Sequence, residues 1–373
     1  MKKVKLCDVI VRANTKVDKD NTDLIYYVGG EHFESGNVTV EQKGLIAGST
    51  IGPMFYYGFK AGQFLLVSRN PHLKKAGIVD FDGICSEKTF VLESADRNIL
   101  LQEYLPFVLQ NERFWSYAIT HKHGSTNFFI NWSTLANYEF FLPDIEEQKR
   151  IADLAWAAHQ LKKSYKKLII SSELLVKSQF IEMTKHATTM MKVSDFTSVI
   201  TGGTPSTKKD EYWTDGTIPW LQSGCCQNCD VSSTETYITP LGYDNSSTRM
   251  MPKNTVMIAL TGATAGKVGY LTMEACGNQS ITGILPSDTV SPRYLFYFLM
   301  INRDKILSDC VGAAQPHISQ GYVKNIVVPI INKDRQLEFV RIAEQSDKSK
   351  FELEQAIQRI DNLIKSLIQQ NND

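Results

Sequence analysis

Apolar residues recur at alternating steps of three and four in two long stretches of the chain. From about residue 144 to 183, the repeat consists of Ile151, Leu154, Ala158, Leu161, Tyr165, Leu168 and Leu175, with Ser172 in the remaining place. From about residue 333 to 370, the same spacing links Leu353, Ile357, Ile360, Ile364 and Leu367, while Ser346 and Lys350 fall on the repeat. Neither stretch contains proline or glycine. This spacing predicts two long helices that pack along a heptad seam.

The stretches 1–143 and 190–332 have a different pattern. They contain short apolar runs, such as 62–67 and 254–260, bounded by Gly, Pro, Asn and Asp. Such runs predict strands joined by turns. Each stretch also contains one predicted short helix, over 100–116 and 292–305. The chain is therefore predicted to have four parts: a mixed α/β block over 1–143, a helix over 144–189, a second block over 190–332 and a helix over 333–373.

The two blocks resemble each other in sequence. Residues 124–137 align with 312–325 at an offset of 188, and both segments lead through a proline into a long helix. Residues 83–86 resemble 277–280 at an offset of 194. We interpret this as an internal duplication with loop insertions. The alternative is two unrelated mixed α/β domains that share turn chemistry.

Composition narrows the class of protein. The 373 residues are 43% hydrophobic and carry 40 basic and 40 acidic side chains. This balance excludes a strongly basic chain that coats nucleic acid through charge alone, and an acidic disordered chain. No apolar run is long enough for a membrane span, and charged residues interrupt the first twelve residues, so a cytoplasmic location is expected. The odd, scattered set of seven cysteines predicts free thiols.

Two motifs suggest chemistry that their details do not support. Residues 261–268 approach a phosphate-binding loop, but three residues separate the glycines, and Val268 follows Lys267 where a magnesium-binding hydroxyl is needed. A strand–loop–strand with exposed amides, able to approach a DNA phosphate, fits better. The Cys225-Cys226-x-x-Cys229 motif lacks a second cysteine pair, so no metal site is expected. No nucleophile signature occurs, which favours a binding or adaptor role.

One ordered series of motifs in the second block carries a family resemblance. It consists of the segments 202–206 (GGTPS), 211–213 (EYW), 218–221 (IPWL), 252–256 (PKNTV), 261–269 (TGATAGKVG), 278–280 (NQS) and 312–319 (GAAQPHIS). Taken together, these segments resemble the DNA specificity (S) subunits of type I restriction-modification enzymes. The resemblance implies an α/β (α+β) fold with two target recognition domains, two long antiparallel coiled-coil helices and an approximate two-fold repeat.

The resemblance is weaker in two places. The first block lacks the GGTPS opening and the glycine–lysine loop, and has Ser68-Arg69-Asn70-Pro71-His72 in that region. The second helix entry has Asn332-Lys333-Asp334-Arg335 where an acidic pair is usual. These departures put in doubt the residues that contact DNA in the first block.

The resemblance also implies partners. The chain is expected to bind double-stranded DNA and to assemble with two modification (methyltransferase) subunits and a restriction (translocase and nuclease) subunit. No cofactor is expected in this chain, because S-adenosylmethionine, ATP and magnesium would serve the partner subunits. Each block is expected to recognise one half of a bipartite, gapped and asymmetric target, with the gap set by the helices.

Candidate contact residues follow from side-chain type and loop position. Cations that could hold phosphates are Arg69, Lys74, Lys75, Lys88 and Lys122 in the first block, and Lys208, Lys209, Arg249 and Lys267 in the second. Candidates for base contacts are Ser68, Arg69 and Asn127, and then Thr261, Gln279 and Gln315. For each of these residues, a solvated or turn-capping role is the competing interpretation.

Two other functions are compatible with parts of the pattern. The chain could be a coiled-coil scaffold or adaptor whose two globular domains bind proteins. It could also be an enzyme that uses the Gly266-Lys267 loop on a phosphate. Sequence-specific DNA binding would separate the recognition subunit from the scaffold, and ATP binding lost in Lys267→Ala would favour the enzyme.

Overall fold

The computed structural model describes residues 2–310 and 317–370. Its contacts divide the chain into two compact units: unit 1 comprises Met1–Lys166 and Glu354–Asp373, and unit 2 comprises Lys167–Leu353. Each unit thus holds one of the predicted blocks together with part of each long helix. Within the described ranges, no helix is both long and apolar enough to cross a membrane.

Unit 1 is built on three small sheets, with strand orders β1-β10, β2-β9-β6-β7 and β4-β3-β8-β5. Its strands are β1 (Lys2–Lys5), β2 (Ile10–Arg12), β3 (Tyr26–Val28), β4 (Gly44–Leu45), β5 (Phe55–Phe59), β6 (Phe64–Val67), β7 (Ala76–Ile78), β8 (Gly83–Ser86), β9 (Thr89–Ser94) and β10 (Glu139–Leu142). Its helices are α1 (Leu6–Val9), α2 (Leu105–Leu109), α3 (Glu112–Thr120), α4 (Trp132–Leu135) and the first part of α5 (Ile145–Thr184).

Unit 2 follows the same order, with sheets β11-β20, β12-β19-β16-β17-β14 and β15-β13-β18. Its strands are β11 (Thr189–Lys192), β12 (Val199–Thr201), β13 (Ile218–Leu221), β14 (Cys229–Val231), β15 (Tyr237–Ile238), β16 (Val256–Ala259), β17 (Val268–Leu271), β18 (Cys276–Gly277), β19 (Ile281–Ile284) and β20 (Val327–Ile330). Its helices are α6 (Val193–Phe196), α7 (Pro240–Asp244), α8 (Pro292–Ile301), α9 (Arg303–Asp309), α10 (Gln320–Asn325) and most of α11 (Lys333–Gln370).

The repetition of this plan confirms the predicted duplication. The sheet β2-β9-β6-β7 of unit 1 corresponds to β12-β19-β16-β17 of unit 2, which adds β14 at its edge. Both units begin with a strand whose last amide is bound by an aspartate: Lys5 donates to Asp8 at 3.3 Å, and Lys192 donates to Asp195 at 3.0 Å. These paired turns are 187 residues apart.

A second alignment at the level of hydrogen bonds corrects one offset. The amide of Lys88 donates to Ser86 Oγ, and the amide of Ser280 donates to Asn278 Oδ1. These equivalent turns differ by 192 residues, so the predicted offset of 194 for this segment was wrong. A short apolar run with one glycine matches at several offsets, whereas the hydrogen-bonded turn matches at one.

The long helices lie antiparallel, as predicted. In unit 2, Ser172 contacts Ser346 and Phe180 stacks edge-on against Phe339, so rising numbers on α5 meet falling numbers on α11. In unit 1, Ala158 packs in one cluster with Ile360 and Ile364.

The predicted seam of α5 is only half correct. Ile151 and Ala158 are buried, but Leu154, Leu161, Leu168 and Leu175 are 42%, 44%, 53% and 55% exposed. The buried positions of α5 include Ala152 and Ala155 in the core of unit 1, and Val176 and Phe180 in the core of unit 2. The helix packs on the sheet-bearing blocks as well as on α11, so its buried stripe does not follow a strict heptad.

The two predicted short helices are each broken in two. The segment 100–116 forms α2 and α3, because Asn111 ends the first helix region and accepts a hydrogen bond from the Arg113 amide at 2.8 Å. The segment 292–305 forms α8 and α9 on either side of Asn302. Asparagine favours such breaks because its side chain caps a helix N-terminus.

One buried glutamine anchors the entry of each long helix. Gln148 accepts from the Leu101 amide at 2.9 Å and donates to the carbonyls of Ile99 and Pro143. Gln336 accepts from the Ser291 amide at 2.8 Å and donates to the Ile331 carbonyl. The glutamine of each predicted helix entry thus ties the start of the helix to the block it follows.

Candidate DNA interface

In unit 1, two loops that carry candidate residues are joined by backbone hydrogen bonds. The amide of Asn70 donates to the Phe128 carbonyl at 2.8 Å, and the amide of Ile130 donates to the Ser68 carbonyl at 2.9 Å. The 121–130 loop closes on itself through paired bonds between His123 and Phe129. The structure therefore brings Arg69, Lys122 and Asn127 onto one surface.

The candidates on this surface differ in how free their side chains are. Arg69 and Asn127 are exposed, and Lys122 lies over the ring of Phe128 at 4.1 Å. Ser68 is buried, and its hydroxyl donates to the Lys88 carbonyl at 2.8 Å. We therefore regard Arg69, Lys122 and Asn127 as the available contacts, and Ser68 as a residue that holds the loop.

An acidic side chain that the sequence reasoning missed lies on the same surface. Glu87 pairs with Lys88 at 2.6 Å. The hydrogen bond from Lys88 lowers the pKa of the Glu87 carboxylate, and the charge of Arg69 acts in the same direction. This carboxylate offsets part of the positive charge of Arg69 and Lys88.

Lys74 and Lys75 have partners inside unit 1. Lys74 Nζ lies 2.6 Å from the carboxylate of Glu112, and Lys75 Nζ donates to the Gly30 carbonyl at 2.7 Å. Both lysines are half-buried. A phosphate would have to compete with these bonds, so the structure makes them weaker candidates than Lys122.

In unit 2, the GGTPS segment packs directly against the 277–280 turn. The Gly203 amide donates to the Gly277 carbonyl at 2.8 Å. A β-carbon on Gly202 would lie 2.0 Å from that carbonyl oxygen, and one on Gly203 would lie 2.7 Å from the Thr248 amide. Both positions therefore require glycine because two backbone segments approach too closely for any side chain.

This close packing gathers several candidates of unit 2 at one edge. Gln279 is exposed and accepts from the Thr204 hydroxyl at 2.6 Å. Arg249 is exposed and follows the buried Thr248, whose hydroxyl donates to the Gly277 carbonyl. Thr261 follows Leu260, which is bonded to Ser280 at 2.9 Å. The structure thus places Arg249, Thr261 and Gln279 on neighbouring segments.

The lysines of unit 2 fall into two groups. Lys208 is exposed on the loop that follows GGTPS, and no described residue pairs with it. Lys209 donates to the Tyr212 hydroxyl at 2.9 Å, and Lys267 donates to Gln227 Oε1 at 2.7 Å. Gln315, the remaining candidate, lies outside the described residues.

The loop that resembles a phosphate-binding loop is a short turn between β16 and β17, as predicted. Gly262 and Gly266 have φ angles of 75° and 73°, values that favour glycine. The Ala265 carbonyl accepts two hydrogen bonds from Arg303, and a β-carbon on Gly266 would lie 3.2 Å from the side chain of Arg303. No long helix starts at this loop, which removes the dipole that a nucleotide site uses.

The three clustered cysteines lie behind the same loop. Cys226 is buried, whereas Cys229 is exposed. A hydrogen bond with Cys226 lowers the pKa of the Cys225 thiol, and the same bond raises that of Cys226. Across the described parts of the chain, no three His, Cys, Asp or Glu side chains are grouped so that they could hold a metal ion.

Comparison with known proteins supports a single family. The model described as "Type I restriction modification DNA specificity domain" matches residues 8–155 and 187–362. The chain is 27% identical over 151 residues, 39% of its length, to the type I restriction enzyme EcoR124I/EcoR124II specificity subunit of Escherichia coli. It is 29% identical over 161 residues, 42% of its length, to the type I restriction enzyme MjaIX specificity subunit of Methanocaldococcus jannaschii.

The matched part spans 37% of the length of each of these two relatives. A solved structure, the type I restriction-modification system S subunit from M. genitalium, covers 100% of this chain with 96% of its own length. Its TM-score is 0.58 at 14% sequence identity, so it shares the fold.

Proposed function

We propose that this chain, which belongs to the family of type I restriction modification DNA specificity domains, selects the DNA sequence on which a type I restriction-modification enzyme acts. The observation that carries the proposal is the double match of the family model, once to each block of a duplicated fold. This chain would bind double-stranded DNA and perform no covalent chemistry itself.

Each unit would bind one half of a bipartite target. The equivalent turns of the two units carry different side chains: Arg69 in unit 1 stands where unit 2 has Thr261, and Glu87 stands where unit 2 has Gln279. A shared scaffold with different loop residues recognises different bases, because base edges are distinguished by the donors and acceptors that face them. The target would therefore be asymmetric, with an unspecified gap between its halves.

A neutral chain can bind DNA if its free cations lie on the binding surface. Arg69 and Lys122 in unit 1, and Lys208 and Arg249 in unit 2, have no carboxylate partner among the described residues. These cations would position phosphates. Amides such as Asn127 and Gln279 would then contact base edges, since a side-chain amide pairs bidentately with adenine.

The long helices would dock the partner subunits. Leu154 and Leu161 in unit 1, and Leu168 and Leu175 in unit 2, leave apolar area exposed along α5. Exposed apolar stripes of this kind mark protein interfaces. We assign them to two modification subunits and a restriction subunit, which would use S-adenosylmethionine, ATP and magnesium. Action on cellular DNA would place the complex in the cytoplasm.

The test is to map DNA methylation in the native host with and without this gene, by long-read sequencing that detects modified bases. We expect methylation to disappear at one gapped, asymmetric motif and to return when the gene is restored. A gene carrying Gln279→Ala should change only one half of the motif. The matched control Gln160→Ala, on the exposed face of α5, should restore the original motif.

An unchanged methylome in cells where the chain is detected would contradict the proposal. The protein-binding scaffold would then be the better reading of the fold, although no observation favours it at present. Affinity purification of the tagged chain from the same cells would separate the two, because a recognition subunit must recover a methyltransferase that acts on DNA.

A further inference from the structure

Arg12 ends β2 and is held by aromatic rings. Its guanidinium carbon lies 4.7 Å from the ring centroid of Phe90 and 5.7 Å from that of Trp132. Arg12 pairs across the sheet with Leu92, two residues beyond Phe90 on the same strand. A planar guanidinium that stacks on rings keeps its hydrogen-bonding edge free, because stacking uses its face.

No protein group satisfies this guanidinium. Its Nε is buried without a hydrogen-bond partner, and it is the one such side-chain nitrogen or oxygen found in residues 2–310 and 317–370. The two outer nitrogens have no partner in the described chain either, yet they are not shut off from solvent. A half-buried cation that keeps free donors is costly to the fold, which points to an external acceptor.

Arg293 shows what the fold does with a stacked arginine that has a structural role. Its guanidinium carbon lies 3.7 Å from the ring centroid of Tyr270. Both of its outer nitrogens bind the carboxylate of Asp230, at 2.5 and 2.7 Å. Arg12 has the same stacking without the carboxylate, so its donors are available to a ligand.

Arg12 lies next to the candidate surface of unit 1. Trp132 begins α4 two residues after Ile130, which is bonded to Ser68. Phe90 is two residues from Lys88, whose carbonyl accepts from the Ser68 amide at 2.7 Å. Both rings that hold Arg12 are therefore attached to the segments that carry Arg69 and Lys122.

The equivalent position of unit 2 is different. Counting 187 residues from Arg12, as from Lys5 to Lys192, gives Val199, which is buried. Gln320 begins α10 where Trp132 begins α4, and it donates to the Val199 carbonyl at 3.1 Å. The stacked arginine is thus a feature of one unit, as expected for a residue that distinguishes two half-sites.

We propose that Arg12 is a specificity-determining residue of unit 1, in which Phe90 and Trp132 hold the guanidinium while its outer nitrogens bind a paired acceptor on DNA. The acceptor is the O6 and N7 edge of a guanine or the two free oxygens of a phosphate, since both match the fork of an arginine. Trp132 would be a positioning residue. The inference rests on the proposed function.

The test uses the complex purified from the host through a tag on this chain, and duplexes that carry the motif identified by methylation mapping. The variants are Arg12→Ala and Arg12→Lys, where lysine keeps the charge but loses the planar fork. The matched control is Arg97→Ala, an exposed arginine beyond the other end of β9. Affinity is measured for the motif and its single-base substitutions over a range of salt concentrations, and thermal unfolding checks that each variant folds.

If the acceptor is guanine, both Arg12 variants should lose preference at one guanine of the first half-site, by about 5- to 150-fold. If it is a phosphate, Arg12→Ala should weaken all duplexes alike and reduce the salt slope by about one, while Arg12→Lys should keep most of the affinity. Folded Arg12 variants that behave like Arg97→Ala would overturn this inference alone. A wild-type complex with no sequence preference would overturn the proposed function, and this inference with it.

Discussion

The hydroxyl of Ser172 on α5 lies 2.6 Å from the hydroxyl of Ser346 on α11. Both serines occupy places in the heptad pattern where an apolar residue is expected, and each looks like a defect when its helix is considered alone. Together they form one half-buried hydrogen bond within unit 2. A polar pair at matching seam positions favours one register of two helices, because any other register leaves each hydroxyl against apolar groups.

This pairing predicts a coupling that can be measured. Ser172→Ala should lower the free energy of unfolding by about 0.5–1.5 kcal/mol, since it leaves the Ser346 hydroxyl without its partner. The double variant Ser172→Ala/Ser346→Ala should cost less than the sum of the two single changes. Urea unfolding of all four proteins gives the coupling energy. Strictly additive effects would show that the hydroxyls do not interact.

The buried glutamines at the helix entries should be among the least replaceable polar residues. Gln148→Met keeps the volume but leaves the Leu101 amide and the Ile99 and Pro143 carbonyls unpaired. We expect a loss of about 2 kcal/mol or more in the free energy of unfolding, and faster hydrogen exchange at the Leu101 amide.

The matched control is Gln160→Met, an exposed position of the same helix. Its free energy of unfolding should stay within about 0.5 kcal/mol of the wild type. Equal effects of the two changes would mean that the three hydrogen bonds of Gln148 contribute little.

His159 makes the stability of unit 1 depend on pH. Burial lowers the pKa of His159, and the charges of Lys162, Lys163 and Lys166 act in the same direction while Glu41 opposes them. Above about pH 6.5 the imidazole is neutral in both the folded and the unfolded chain. As the pH falls below that value, the unfolded chain binds a proton that the folded chain does not, so stability decreases.

His159→Gln should remove this part of the pH dependence. Urea unfolding at about pH 7.5 and 5.5, on either side of the ordinary histidine pKa, measures the difference. The exposed His72→Gln serves as control, because its side chain is not buried. A wild-type protein whose loss of stability on acidification equals that of His159→Gln would rule out this histidine as the cause.

The free and the paired cations of unit 2 should differ in their effect on DNA binding. Arg249→Ala and Lys208→Ala should each weaken binding roughly three- to ten-fold and reduce the salt slope by about one, because each would release one phosphate contact. Lys267→Ala should have a smaller effect, since that lysine already binds Gln227. Fluorescence anisotropy against potassium chloride concentration measures both quantities. A larger effect at Lys267 would reverse the assignment.

The helices were predictable from sequence because their pattern is local and long. The positions of α5 and α11, the strands β6 and β16 and the duplicated order all follow from spacing and turn residues. The buried face of α5 did not follow, because Leu154 and Leu161 fit a heptad as well as Ala152 and Ala155 do. Which stripe is buried depends on the block against which the helix packs.

The candidate site was predictable by residue type but not by partner. Arg69 and Gln279 were identified as exposed polar loop residues, and they are exposed. The sequence could not show that Lys74 is tied to Glu112, because these residues are 38 positions apart. Arg12 was missed because it follows an apolar strand, and its two aromatic neighbours come from distant parts of the chain.

Unit 1 is assembled from two separate pieces of the chain, whereas unit 2 is continuous. The cluster around Ala158 is completed by Ile360 and Ile364, and Leu367 joins the main core of unit 1. During synthesis, a ribosome makes residues 2–166 long before these three side chains emerge. Unit 2 can thus finish folding while unit 1 still waits with an open apolar face, so the half of the molecule that is translated first is completed last.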